Sequence, residues 1–222
     1  MKSSKQMSEN LILGMLLAVC GGFLDAYTYI MRGGVFANAQ TGNIVLLGIS
    51  IAKGDASKAV YYIFPIIAFA IGILITEIVR SRLHSSSILH WRQIIVLSEI
   101  ALLFCTAFVP EGRADIVVNT TVSFVCSLQV EGFRVISGNK VATTMCTGNL
   151  RSATELLFYG VKTGNRAKIK DSLTYYSINL FFVLGAIAGA WLTSFFGLKS
   201  VWFVCLLLIV PFIMMFRVIR GK

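Results

Sequence analysis

The sequence predicts an all-α integral membrane protein with about six transmembrane helices. These are arranged as two inverted three-helix repeats, each with a short re-entrant or broken half-helix starting at Thr-Gly-Asn. Three observations carry this prediction. Of 222 residues, 56% are hydrophobic and only 14% charged, whereas a soluble domain carries about a quarter charged residues. Apolar runs near the roughly 20 residues needed for one bilayer crossing recur along the chain. The tripeptide Thr41-Gly42-Asn43 returns as Thr147-Gly148-Asn149, and a long-period match of this kind marks an internal repeat. The whole of residues 1–222 reads as a single membrane domain, with no room for a separate catalytic one.

Taken in order, the strongest spans are 11–30, 60–79, 93–109, 116–136, 172–196 and 201–216. The first reads as a transmembrane helix rather than a signal peptide, because Asp25 interrupts it and no A-x-A site follows. Segments 36–52 and 141–159 open with polar residues, and the second holds Arg151 and Glu155. An Arg at a helix centre costs about 2.5–3.5 kcal/mol even on the insertion scale, so neither segment is counted as a span. Lys and Arg test the count independently. Six spans with the N-terminus inside leave Arg32, Lys53, Lys58, Arg113 and Lys199 outside and 15 of the 20 basic residues inside, whereas eight spans split them 12 to 8. The positive-inside rule therefore favours six spans with both termini cytoplasmic.

The repeat extends beyond the tripeptide. At the offset separating Thr41 from Thr147, Cys20 matches Cys126, Asp25 matches Glu131, Tyr27 matches Phe133 and Val35 matches Val141. Each motif leads into an apolar stretch ending at Gly54 or Gly160. Beyond a longer basic loop in the second half, Tyr61-Tyr62 corresponds to Tyr175-Tyr176, and Ala68 with Gly72 resembles Gly185 with Gly189. The halves are then about 8–110 and 111–222. Three spans per half is an odd number, which makes the repeat an inverted one, as in many transporters. A duplicated scaffold without a pathway is the other reading.

The stretch from Gly21-Gly22-Phe23-Leu24-Asp25-Ala26-Tyr27 to Asn38-Ala39-Gln40-Thr41-Gly42-Asn43, with the second Thr-Gly-Asn, resembles the YoaK-like family of small bacterial membrane proteins, a domain of unknown function. The resemblance covers nearly the whole chain. It implies a multi-pass protein of the bacterial cytoplasmic (inner) membrane and supplies neither substrate nor site.

The chemistry is therefore argued from residues. Thr and Asn favour N-cap positions, so each Thr-Gly-Asn is expected to start a short helix of about nine residues, roughly 14 Å or half the hydrocarbon thickness. A loop that dips in and returns as such a half-helix places unpaired N–H groups and a positive dipole end near the midplane, where an anion, a carbonyl or water is attracted. Asn38, Gln40, Thr41, Gly42 and Asn43 in one half, with Thr144, Thr147, Gly148 and Asn149 in the other, are the candidate solute contacts. Interfacial helices lying on the membrane surface are the alternative. Asp25 and Glu131 join the candidate set because an intramembrane carboxylate is costly unless paired, hydrated or protonated. For Glu131 an ion pair with Arg134 also fits, as do pairs of Arg151 with Glu155 and of Glu77 with Arg80. Glu99 is left open between a structural and a functional role.

The function expected is a small secondary transporter or channel-like permease for a small polar or anionic solute, with Asp25 and Glu131 coupling protons or organising a gate. Against it stands a non-transporting scaffold or accessory subunit that binds a partner through the basic loop 162–170. An intramembrane enzyme acting on lipid ranks third, with Asp25 and Glu131 as its acid and base. No enzymatic signature occurs, His84 and His90 sit in a basic loop, and the five cysteines form no CxxC pair and read as small buried hydrophobes. The chain is therefore expected not to be an enzyme and to hold no metal or cofactor. The expected partners are the lipid bilayer and a small-molecule solute. The net charge of +10 falls in short loops between spans, so nucleic acid is not among them, and the small size suits a homodimer.

Overall fold

In a computed structural model, which describes residues 10–83 and 90–219, the chain forms α1 (Leu11–Met31), α2 (Gln40–Ala52), α3 (Ala56–Leu83), α4 (Trp91–Thr106), α5 (Asp115–Gly132), α6 (Cys146–Lys162), α7 (Arg166–Phe196) and α8 (Val201–Ile219). A two-residue hairpin, Val135–Ile136 paired with Asn139–Lys140, precedes α6. Lys2, Lys5, His84, Arg220 and Lys222 lie outside the described residues. The architecture is that of an all-α membrane protein. Leu11–Met31, Ala56–Arg82 and the continuous stretch Arg166–Met215 are long and apolar enough to cross a bilayer. The predicted spans 93–109 and 116–136 coincide with α4 and α5, of 16 and 18 residues. Both are shorter or more polar because they bury Gln93 and Glu99, and Asn119, Ser123, Ser127 and Gln129, against other helices instead of offering them to lipid.

Each helix finds its neighbour through small residues. Gly22 of α1 faces the Phe182 carbonyl and the Ala186 amide of α7, and Gly185 and Gly189 of α7 face the backbone of Val19 and Phe23. Gly72 of α3 meets Ser127 and Phe124 of α5 in the same way. Without side chains at these positions the backbones approach closely, the packing mode that membrane helices favour. α1 packs chiefly on α7 and α5 on α3, while α4 lies against α8 and α5, and α8 also against α1. Exchanging α1–α4 for α5–α8 maps this set of partners onto itself.

Directions follow from named contacts. Arg32, just past the C-terminus of α1, pairs with Asp115 at the start of α5, and the Leu17 carbonyl near the other end of α1 accepts from Gln129 of α5. α1 and α5 are therefore antiparallel. α4 and α8 are antiparallel too, with Phe104 stacked on Trp202 and Cys205 donating to the Ile100 carbonyl. One end of the molecule gathers Arg80, Arg134, Lys162, Arg166 and Lys168, and the other holds Lys53, Lys58, Arg113 and Lys199. At the basic end, Glu77 and Glu131 pair with Arg80 and Arg134, as expected for Glu77–Arg80 at 2.9 Å and Glu131–Arg134 at 2.9 Å. Arg151 and Glu155 do not pair with each other; both are exposed on α6, and neither forms an ion pair among the described residues.

The turns after the two short helices match each other. Lys53, Gly54 and Asp55 donate to Ile49, Ile51 and Ser50, and Thr163, Gly164 and Asn165 donate to Tyr159, Val161 and Gly160. Gly54 and Gly164 take positive φ, 69° and 65°. Gly54 therefore corresponds to Gly164 rather than to Gly160, because α6 is four residues longer than α2 (17 against 13). Gly22→Leu is expected to abolish the close α1–α7 approach and with it a monodisperse folded protein, whereas Gly48→Ala, whose Cβ would meet open space, leaves the melting temperature within 1–2 °C as a helix-favouring surface change (about 1 kcal/mol or less); thermal size-exclusion profiles of the two variants check this.

Candidate functional site

The two short helices begin inside the molecule. After Arg32 the chain turns through Gly33 and Gly34, both at positive φ, and comes back along α1 until the Asn38 amide donates to Asp25 Oδ1 at 3.0 Å. Asp25 lies about 9 Å before the end of α1, counting six residues at 1.5 Å each. From there α2 runs about 20 Å and α6 about 26 Å. Both are longer than the half-helix expected, because each starts before its Thr-Gly-Asn, at Gln40 and Cys146.

The motif residues are not the caps that the sequence suggested. The N-cap residues are Ala39 and Met145, and neither side chain bonds to the helix. The asparagines instead reach back seven residues. Asn43 Nδ2 donates to the Phe36 carbonyl and to Gln40 Oε1, and Asn149 Nδ2 donates to the Ala142 carbonyl while its Oδ1 accepts from the Ala142 amide. An asparagine carries its donor and its acceptor on separate atoms, so the motif staples the incoming loop to the first turn. Gly42 and Gly148 have open space where a Cβ would stand.

More clamps hold these non-helical segments. Ser123 donates to the Ala37 carbonyl, and Gln40 Nε2 donates to Ser123 Oγ and to Ala37 O. Gln129 Nε2 donates to Thr143 Oγ1 and to the Leu17 carbonyl. Asn38 Nδ2 donates to the Thr144 carbonyl at 3.3 Å. Asn38 and Thr144 stand at the same offset as the two motifs, so equivalent loops touch at equivalent positions.

One cavity of about 410 Å³ lies between them, within the 300–1,000 Å³ typical of ligand sites. Asp25, Asn38, Gln40 and Thr41 line it from one side, and Thr144, Thr147 and Gly148 from the other. Seven of the eleven residues singled out from sequence thus meet in a single place. Gly42, Asn43 and Asn149 do not line it; the asparagines support its walls. Glu131 is elsewhere, in the Glu77–Arg80–Arg134 cluster at the basic end, because the repeat offset that equates it with Asp25 puts the two near opposite ends of antiparallel helices.

Two helix N-termini without side-chain caps open on this cavity; amides of a first turn have no acceptor within their own helix, and in α2 those of Gln40 and Gly42 donate instead to the Asn38 and Ala39 carbonyls. Asn38 Oδ1 and Thr144 Oγ1 are buried without a partner. The site thus offers hydrogen-bond donors, one orphan acceptor, the hydroxyls of Thr41, Thr144 and Thr147, and one carboxylate. Among the described residues no group of three or more His, Cys, Asp and Glu is placed to hold a metal ion.

Sequence reasoning passed over several wall residues. Phe69 and Phe182, three residues before Gly72 and Gly185, both face the cavity, and only their spacing from those glycines marked them. Cys146, read as a small buried hydrophobe, lines it as well, and Cys105 is exposed. The largest omission is Arg32. Its side chain is fully buried, pairs with Asp115 at 3.1 Å and donates to the Tyr27 hydroxyl and to the carbonyls of Thr106, Val109 and Pro110. Tyr61 and Asn119 in turn donate to its own carbonyl. With these partners it fixes the point from which the first loop turns back. Tyr27 and Tyr61 serve this network. Glu99 is fully buried, and neither carboxylate oxygen has a partner.

The family model described as "Protein of unknown function (DUF1275)" matches residues 13–214. The Bacillus subtilis protein described as UPF0700 transmembrane protein YoaK is 25% identical over 185 residues, which cover 79% of this chain and 80% of that protein. No solved structure matches. Arg32→Met is expected to lower stability by about 3–5 kcal/mol by leaving Asp115 without its cation, and the double variant Arg32→Met/Asp115→Leu to recover part of that loss; chemical denaturation in detergent measures both.

Proposed function

The chain belongs to the DUF1275 family, described as of unknown function, and we propose that it is a small secondary transporter or channel-like permease for a small polar or anionic solute. The single observation that carries this reading is the convergence of the two repeated motifs on one cavity beside Asp25. Solute binds among the amides of the α2 and α6 first turns, the Thr41 and Thr147 hydroxyls and the Asn38 side chain. Asp25 carries the coupled proton or organises the gate. Glu131, held in ion pairs at the basic end, takes no part in solute binding and acts as a latch between α3 and α5.

Two structural features support an inverted-repeat mechanism: the antiparallel α1/α5 and α4/α8 pairs, and short helices that leave the cavity in opposite directions. In the bacterial inner membrane the basic end faces the cytoplasm, by the positive-inside rule. Alternating access then consists of one half rocking against the other about the contact between Asn38 and Thr144, opening the cavity to each face in turn.

In a cysteine-free background, Lys53→Cys and Lys162→Cys are expected to react with an impermeant sulfonated thiol reagent from opposite membrane faces; reaction from one face would end the inverted arrangement. Uptake into proteoliposomes of a radiolabelled panel (lactate, phosphate and glycerol) is expected to exceed that of protein-free liposomes for at least one solute. Asp25→Asn and Thr147→Val are expected to lower it at least tenfold. No flux above the protein-free level for any of the three, nor for octanoate added to the panel, would sink the transport reading and favour a scaffold binding partners through loop 162–170.

A further inference from the structure

The cavity between the motifs continues into the lipid-facing surface. Beside it, between α1 and α7, runs a groove of about 470 Å³. Its floor is made of small side chains, Ala26, Ala186 and Ala190, and its walls of Tyr29, Ile30, Val183 and Ile187. Tyr29, Ile30, Val183 and Ile187 are exposed on the surface of the protein. The groove and the cavity share Asp25, Phe36 and Phe182. Two aromatic rings and one carboxylate are thus the partition between the cavity that holds the motif residues and a groove open to the bilayer, and Phe36 is held at one edge by stacking on Tyr29 at 4.7 Å.

The chamber itself specifies a head group. Thr144 Oγ1 and Asn38 Oδ1 are both more than nine-tenths buried and lack partners, so the complementary group accepts one hydrogen bond and donates another. The Gln40 and Gly42 amides of α2 already donate to the Asn38 and Ala39 carbonyls, so further donors to a second oxygen come from the Thr41 amide and the first turn of α6. A carboxylic acid has one oxygen for each demand. An alcohol has a single oxygen and leaves the helix amides unserved, and a quaternary ammonium neither donates nor accepts.

We propose that the solute is a single-chain amphiphile with a carboxylic acid head, which binds head-first in the cavity between the two motifs and lays its hydrocarbon chain in the α1–α7 groove, entering sideways from the bilayer past Phe36 and Phe182. This rests on the transport reading of the same cavity and narrows it to one substrate class. The alanine floor makes room for the chain, and the glycine contacts between α1 and α7 hold that floor in place. Lipid-facing walls let the tail stay in hydrocarbon throughout, so only the head is transferred between polar surroundings.

The test uses the full chain in nanodiscs and displacement of tritiated decanoate, with protein-free nanodiscs as the blank. Saturable binding is expected, with acetate displacing decanoate far less well than octanoate. Octanoate is itself expected to be roughly tenfold weaker than decanoate, the two lost methylenes at about 0.8 kcal/mol each. Decanol and decyltrimethylammonium are expected to compete at least tenfold less well than decanoate. Ala190→Leu, which fills the groove floor, is expected to weaken decanoate at least fivefold and leave acetate displacement unchanged, and Thr144→Val to weaken both acids. Equal displacement by acetate and decanoate would overturn the amphiphile while leaving a small-solute transporter standing. Equal competition by decyltrimethylammonium would overturn the acid head, and absence of saturable decanoate binding would overturn the proposal outright. Uptake of lactate, phosphate or glycerol, measured separately, tells that last failure apart from failure of the transport reading.

Discussion

Non-helical backbone in the interior of a membrane protein must have every amide and carbonyl satisfied by protein, since lipid offers nothing. The rest of this molecule follows from how that demand is met. Two loops, 32–39 and 133–145, come inward, and each is tied by side chains from α1 or α5 and by the asparagine of its own motif. Ser123 and Asp25 hold the first. Gln129 holds the second. Asn43 and Asn149 close each loop on its own helix. The polar residues that make α5 a weak span by composition are the ones that make the inward loops affordable. Remove them and the helices starting at Gln40 and Cys146 have no defined depth.

Charge is distributed by the same logic. At one end, the Arg32 guanidinium is surrounded by acceptors, among them the carbonyls at the C-terminus of α4, where a helix dipole favours a cation. At the other end, Glu77, Arg80, Glu131 and Arg134 form a half-exposed cluster between α3 and α5. The first is rigid and dry, the second looser and wetter. Exposed ion pairs contribute little each, of order 0–1 kcal/mol, so the second cluster breaks more easily than the first. Any rocking between halves therefore has a hinge side and a yielding side built into its chemistry.

Much of this was legible in the sequence. The helices, their approximate spans and the grouping of seven candidate residues followed from hydropathy and from one repeated tripeptide. What stayed illegible shares a physical cause. Thr41 and Thr147 look like caps because capping is a local rule, but the asparagines two residues on found better partners seven residues back, and a loop's path is not a local property. Glu131 looks like the twin of Asp25 by alignment, yet inversion carries equivalent residues away from each other unless they lie near the pseudo-axis, as Asn38 and Thr144 do. Arg32 looked like an ordinary loop charge, because nothing in sequence marks which arginine will be surrounded by the carbonyls of a helix 70 residues further on.

The pairing of α1 with α7 and of α5 with α3 has a consequence for how the chain comes into being. The first helix of each half packs on the third helix of the other, so the halves are interlocked rather than side by side. When α1 enters the membrane during synthesis, its glycine-faced side has no permanent neighbour, and it waits until more than 150 further residues have been made before α7 arrives to cover it. α5, by contrast, emerges into contact with an α3 that is already in place. The two copies of one design thus face opposite histories: one is inserted early and finished late, the other is received by a prepared surface.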